Sequence, residues 1–600
     1  MSYEHSTRAH RRTLKEILAG KVEKKEEIAT KAQLPDWTRF KPYVPPPDIT
    51  HKATRDKLYG HPAFADIAAV LVPGTNEAWK FSYPSMGVGA DRTCHNALVD
   101  YYSELLESKN QDADVIERCL RHVNNVVCSN GLMSGLVHRL ITQLPRVEPT
   151  LKPRPAELQV TADLLPFAFT EGDEKKVWSI PLRPDWEDGE VFDLTETADA
   201  GAPFMIADRN AKCDATTAAR AIKFAEKYIK ILEKDDDKLT AMSNYFRDNP
   251  GESLFMLKRK MERMTHEAAT HKVRPYYVPP FALKLLFMWV AHYVQKSLLN
   301  YIQSDKSGSA YKSSWFYGGT TKFISTLVHD TRVSAMADKR VVLKTSCFGD
   351  DAIWVIAYPD GSYVVLTPDV SAMDMHVAKA FGGILQGIYA MCYAAHHDNA
   401  PLPLLFKRVL KLLCNMAFNT NLHITGTYNM RKLWGLCSGI PLTTIFDMVA
   451  SCYIVGILKT SMEAGILPGA TRFVDAKSFS AEDLDILIKH VEKRVVKETS
   501  ASFKVGTLVP YSFTGTEEKI EDYPFMFLGV KFKHIERIIK IGDKNVELKG
   551  WVPYPGNIEK YAASFVFPTS KDHRCADHGT YIWSDACWCL AYTSGSTVSA

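Results

Sequence analysis

The sequence has no apolar run of about 18 or more residues and no basic-then-apolar leader pattern at its start, so neither membrane insertion nor secretion is expected. It also lacks a strong charge of either sign. With 73 Lys and Arg against 69 Asp and Glu, the net charge is only +4, so a polyanion channel must come from local cation clusters. Cysteine is sparse for a disulfide scaffold. Most of the 12 cysteines stand in apolar segments, as Cys392, Cys414 and Cys452 do, which is the pattern of reduced thiols. His573, Cys575, His578, Cys587 and Cys589 crowd together near the C-terminus, but their spacing matches no common zinc-finger pattern, and packing is the expected role. What is present, 46% hydrophobic and 24% charged residues over 600 positions, suits several domains or one multi-lobed enzyme.

The densest chemistry lies in 340–376, RVVLKTSCFGDDAIWVIAYPDGSYVVLTPDVSAMDMH. Residues 341–348, 352–358 and 362–369 are rich in β-branched and aromatic side chains and predict three strands. Gly349-Asp350 and Pro359-Asp360-Gly361 supply the turns between them. If the second turn centres on Asp360, the numbers of antiparallel partners sum to about 720. That register sets Asp351 opposite Asp369, with Asp350 alongside. Opposed residues hold their Cβ atoms about 4.5–5.5 Å apart, so carboxylates at this spacing repel one another and need a positive partner. All-oxygen donors suit a hard divalent ion, Mg²⁺ or Mn²⁺. A lone Gly-Asp-Asp is also an ordinary turn sequence; the return of Asp369 to the same end of the sheet is what gives it meaning.

Residues 1–54 are polar and charged, then proline-rich at Pro45-Pro46-Pro47, and read as an arm instead of a core. From 55 to 335, amphipathic helices alternate with loops marked by proline and glycine. They include 91–108, 112–126 and 214–233, the last with Asp214 as N-cap. The loop Tyr83-Pro84-Ser85-Met86-Gly87-Val88-Gly89 reads as a surface turn, although its glycines would allow close approach to a phosphate. Residues 150–212 read as irregular. Cations gather at Lys258, Arg259, Lys260 and Arg263, then at Lys272 and Arg274, which share one face of a strand predicted over 271–278 and suit a triphosphate. Further helices are predicted over 281–302, 375–396, 402–418, 441–460 and 481–496. A strand carrying Lys504 is predicted over 500–509 and a hairpin over 523–534, before a tail (535–600) that is helical only in part. Ser438-Gly439 forms a flexible loop ahead of a helix on which Thr443 and Asp447, four residues apart, share a face.

Together these residues resemble the motifs of a viral RNA-dependent RNA polymerase over 255–535. Asp369-Val370-Ser371-Ala372-Met373-Asp374 resembles motif A, and Ser438-Gly439 with Thr443 and Asp447 resembles motif B. Gly349-Asp350-Asp351 resembles motif C, Phe527-Leu528-Gly529 motif E, and 258–263 with Lys272 and Arg274 motif F. Motif C precedes motif A here, an order similar to the permuted polymerases of permutotetraviruses and birnaviruses; Gly-Asp-Asp favours the former. Permutation is sterically simple, because the second motif C strand already lies antiparallel to motif A and a short turn joins them. Asp447 stands where motif B usually has asparagine; as a carboxylate it could accept from a ribose 2′-hydroxyl but not donate to it.

The resemblance implies an α+β right-hand polymerase. Its fingers would span 55–335 and its palm 336–535, with motifs in the order C-A-B-D-E and a fingers insertion within 384–430. The palm would be an RRM-like antiparallel sheet with helices on one face, and 536–600 a short thumb. Asp350, Asp351 and Asp369 would hold two Mg²⁺ or Mn²⁺ ions for nucleotidyl transfer, with Lys504 as general acid. Lys258, Lys260, Lys272 and Arg274 would neutralise the triphosphate; Asp374, Thr443 and Asp447 would check the ribose; Ser438 and Gly439 would adjust to the template. Template and nascent RNA and NTPs are the implied partners, beside viral capsid or replication proteins, in the host cytoplasm or packaged in the virion. Self-nucleotidylation in the permuted relatives makes a hydroxyl of Ser2 or Tyr3 a candidate acceptor. Two alternatives stay open: a reverse transcriptase-like polymerase, although no bulky aromatic adjoins Asp374, and a non-enzymatic viral RNA-binding protein whose carboxylates are structural.

Overall fold

The computed structural model describes residues 11–19 and 92–567, apart from short internal stretches of which the longest is 464–480. Most of the N-terminal arm, the 83–89 loop, Lys272 and the C-terminal Cys/His group lie outside the described residues. Part of the arm belongs to the core after all. Arg11–Thr13 pairs with Asp193–Thr195, and Leu14 and Ile17 of the following helical turn are buried.

A four-stranded antiparallel sheet forms the centre, in the order Tyr511–Phe513, Tyr363–Leu366, Asp351–Ala357, Val342–Phe348. Its register is the one derived from the Asp360 turn: Trp354 pairs with Leu366, Ala357 with Tyr363, and the ladder is extended by a bridge between Asp351 and Asp369. Every residue of Asp351–Ala357 after the first is buried, which requires cover on both faces of the sheet. Ala352, Trp354 and Ile356 point into the main core, shared with helices Ala380–His396, Thr443–Glu463 and Ala481–Thr499. Ile353, Val355 and Ala357 point into a second core with Phe323, Leu327, Val328, Tyr523, Phe525 and Phe532. Helices on one face were expected. The second face is covered too, by helical residues 319–338 and by the late sheet Asp522–Phe527, Val530–Ile541, Lys544–Pro555.

Four segments differ from expectation, each for a local reason. The helix predicted from 375 begins at Ala380, because Met373–His376 forms a separate turn and Val377 is extended; the Asp374 carbonyl in that turn accepts from Leu436 N. The helix from Phe281 stops at Ser297, where Asn300 Oδ1 takes up the amides of Ile302 and Gln303 in a turn. Residues 500–509 make only a bridge (Val370 with Phe503) and a turn through Gly506 at φ +82°, and the edge strand comes later, at Tyr511–Phe513. The hairpin predicted over 523–534 continues into a much longer one, Val530–Ile541 against Lys544–Pro555.

A second sheet, in the order Tyr428–Lys432, Thr420–Thr425, Leu254–Arg259, Pro275–Val278, joins the cation-rich segment to residues just ahead of the Ser438-Gly439 loop. Thr443–Glu463 is long and apolar enough to cross a membrane by length and composition, with 83% of its apolar window buried inside the protein. That helix corrects the reading that no such segment exists. Asp214 caps the helix Ala215–Lys234 as predicted, accepting from Thr217 N at 2.9 Å.

Candidate active site

Gly349 adopts φ +62° in the tight turn that starts Asp351–Ala357 and leaves Asp350 exposed at its tip. Ser451 Oγ, on the Thr443–Glu463 helix, donates to Gly349 O at 2.9 Å and pins that turn. Asp351 and Asp369 face each other across the strand pair. Loss of hydration, then Asp350, then Asp369 push the Asp351 carboxyl up to about 6. The chain at 502–507 lies beside Asp369: Lys504 N donates to its carbonyl at 2.8 Å, and Lys504 Nζ meets Asp369 Oδ2 at 2.6 Å.

This donor set fits a hard divalent cation by its chemistry, with three carboxylates, no soft ligand and mutual repulsion strong enough to raise Asp351. Among the described residues, however, no three His, Cys, Asp or Glu side chains are grouped to hold a metal ion. The positive partner that Asp369 meets is Lys504.

The Ser438-Gly439 loop is docked on Pro275–Val278. Tyr277 N donates to Ser438 O and Ser438 Oγ to Pro275 O, both at 3.0 Å. Gly439 has φ +96°, and a Cβ there would sit 2.7 Å from the Tyr276 ring, so only glycine fits. The Thr443 hydroxyl donates back to Cys437 O and Ile440 O, capping the helix. Asp447, one turn on, is buried, and its Oδ1 has no hydrogen-bond partner. Burial, then Asp350, then Asp374 raise its pKa well above the carboxylate range. Burial and these two neighbouring acids therefore favour the neutral form, which could donate as well as accept.

The predicted cations are less free than their charges suggested. Lys258 pairs with Asp199; burial alone would raise that carboxyl, but Lys212 and Lys258 hold it below its ordinary value. Arg274 bonds Glu262 Oε1 at 3.1 Å, and Lys260 lies 3.9 Å from the same oxygen. Asp374 is met by Arg139 Nη2 at 3.7 Å from Oδ1. Sequence reasoning missed Arg139, Asp199, Glu262 and Ser451. Ser451 was findable, since Thr443, Asp447 and Ser451 are spaced by four and line one helical face. Glu262 stands inside the cation cluster itself, whereas Arg139 and Asp199 carry no local signal because only tertiary folding brings them in.

Residues 175–461 match the family described as the permutotetravirus RNA-dependent RNA polymerase palm domain. Among solved structures, the birnavirus VP1-VP3 complex is similar at 16% identity and a TM-score of 0.59, over 90% of this chain and 74% of that one. The RNA polymerase VP1 from Infectious Pancreatic Necrosis Virus is similar at 16% identity and a TM-score of 0.62, over 95% and 79% of the two chains. No curated protein sequence matches. The fold is that of a right-hand polymerase. With Gly349-Asp350-Asp351 ahead of Asp369 inside the matched residues, this part of the chain is similar to a viral RNA-dependent RNA polymerase palm of the permuted type, and the match supports RNA-dependent RNA polymerase function. Polymerases of this kind use divalent metal ions.

Proposed function

We propose that this chain extends an RNA 3′-hydroxyl with NTPs on an RNA template, in replication and transcription of a viral genome. The observation carrying this reading is the Asp351–Asp369 bridge, with Asp350 on the adjoining turn. In this reading 55–335 are fingers, 336–535 palm and 536–600 thumb. Asp350, Asp351 and Asp369 would hold two Mg²⁺ or Mn²⁺ ions, which when bound would supply Lewis-acid activation of the hydroxyl and charge for the leaving pyrophosphate. Lys504, 2.6 Å from Asp369, would serve as the general acid for that pyrophosphate. Arg274 and Lys260 would neutralise the triphosphate together with Lys272, whose placement lies outside the described residues, and Lys258 is held in place by Asp199. Asp374 and Asp447 address the ribose, and the docked Ser438-Gly439 loop addresses the template. Protein partners from the same virus and a cytoplasmic replication complex belong to this reading; the birnavirus VP1-VP3 complex supports the first.

The test compares labelled NTPs with dNTPs on RNA and DNA templates, with Mg²⁺ or Mn²⁺ and with EDTA. RNA product from NTPs on RNA, lost in EDTA, is expected. Equal use of dNTPs would favour a reverse transcriptase-like enzyme, and absence of any product would overturn the reading.

A further inference from the structure

Asp374 sits at a junction of three segments. Its carbonyl accepts from Leu436 N, just before the Ser438-Gly439 loop, and its carboxylate faces Arg139. Arg139 also donates through Nη1 to Val273 O at 3.3 Å, at the entry to the strand Pro275–Val278. Its side chain is only 16% exposed, and its Nε is buried without a partner. The segment carrying it is fixed independently: Trp434 Nε1 donates to Pro145 O at 3.0 Å, and Leu144 packs where a Cβ on Gly435 would fall, 2.6 Å away.

Two more unpartnered polar atoms stand near the same carboxylate. Asp447 Oδ1 and the Tyr277 hydroxyl are buried without hydrogen bonds, and both side chains lie within electrostatic reach of Asp374. A guanidinium 3.7 Å from its carboxylate, already anchored on a backbone carbonyl, restrains direction more than it adds attraction.

We propose that Arg139 is a positioning residue for nucleotide selection: it holds Asp374 aimed at the ribose 2′-hydroxyl of the incoming nucleotide, beside Asp447 and Tyr277. This rests on the reading that Asp374 addresses the ribose. Arg139 lies outside the residues that match the palm family, so the device joins a separate part of the chain to the palm.

The test is single-nucleotide incorporation by the full chain, comparing NTP with the 2′-deoxy analogue for wild type, Arg139→Gln, Arg139→Lys and each change combined with Asp374→Asn. Arg139→Gln is expected to lower kcat/KM for the NTP by about tenfold, mainly through KM, the scale of one charge-assisted hydrogen bond. Use of the deoxy analogue should change less than about twofold, Arg139→Lys should recover part of the loss, and in the Asp374→Asn background Arg139→Gln should add little. A parallel fall for both nucleotides, or a full Arg139→Gln effect without the Asp374 carboxylate, would overturn the proposal. Absence of incorporation by the wild type would instead overturn the polymerase reading on which it rests.

Discussion

Asp447 and Asp351 are both acids shifted toward their neutral form, to different degrees. Asp447 is buried with an unpaired oxygen, and burial with Asp350 and Asp374 nearby shifts it toward its neutral form. Asparagine has nearly the same shape and can donate in the same way. Asp447→Asn should therefore shift the melting temperature by less than about 3 °C at pH 7, and any shift should be upward. A clear drop in a thermal melt would mean that the carboxylate is ionised and needed as such. Asp351 is raised from 3.8 to about 6 by lost hydration and by Asp350 and Asp369. The folded chain thus keeps a proton that the unfolded chain releases between these values. Without metal, its contribution to stability falls as pH rises from about 4 through 6. In EDTA, Asp351→Asn should stabilise the protein increasingly over that interval, so melts at pH 4.5 and pH 7 should differ in the mutant's advantage. An advantage that does not vary with pH would remove this account of the repulsion.

At the scale of elements, the helices behind the central sheet are joined by one buried ionic group. Arg494 bonds both Glu157, which is fully buried, and Glu498, and Tyr453 OH donates to Glu498. Three helices, Pro155–Leu164, Thr443–Glu463 and Ala481–Thr499, meet there. Arg494→Met would leave buried Glu157 with only the exposed Arg154 guanidinium at 3.9 Å and should cost about 3–5 kcal/mol in denaturant unfolding. A loss under about 1 kcal/mol would show that water reaches the site. Elements with a strong local pattern were legible: the meander register followed from one turn, and Asp214 marked a helix start. Where tertiary contacts override local pattern the reading failed. The turn Met373–His376 breaks an apolar run that looks helical, because Leu436 takes the Asp374 carbonyl. Of the long hairpin Val530–Ile541 with Lys544–Pro555 only the start, up to His534, was read as strand, since Lys, Arg and Glu interrupt the apolar alternation beyond it.

In the whole molecule, the order of the motifs matters less than the adjacency of the strands. The turn after Ala357 joins two neighbours of one antiparallel sheet, so chain order changes while the carboxylates keep their common end. This part of the site was legible because strand pairing is short-range. The cation side was legible only as charge: the acids that engage Lys258 and Arg274 come from Asp199 and from Glu262 within the cluster, and the partner of Asp374 comes from Arg139.

The most direct measurement is metal-dependent primer extension with Asp350→Asn, run beside RNA binding by the same protein. The substitution removes one charged oxygen donor and almost no volume. Extension should fall by about a hundredfold or more while RNA affinity stays within about twofold of wild type. Extension at the wild-type rate would contradict the assignment of this carboxylate cluster as the catalytic centre.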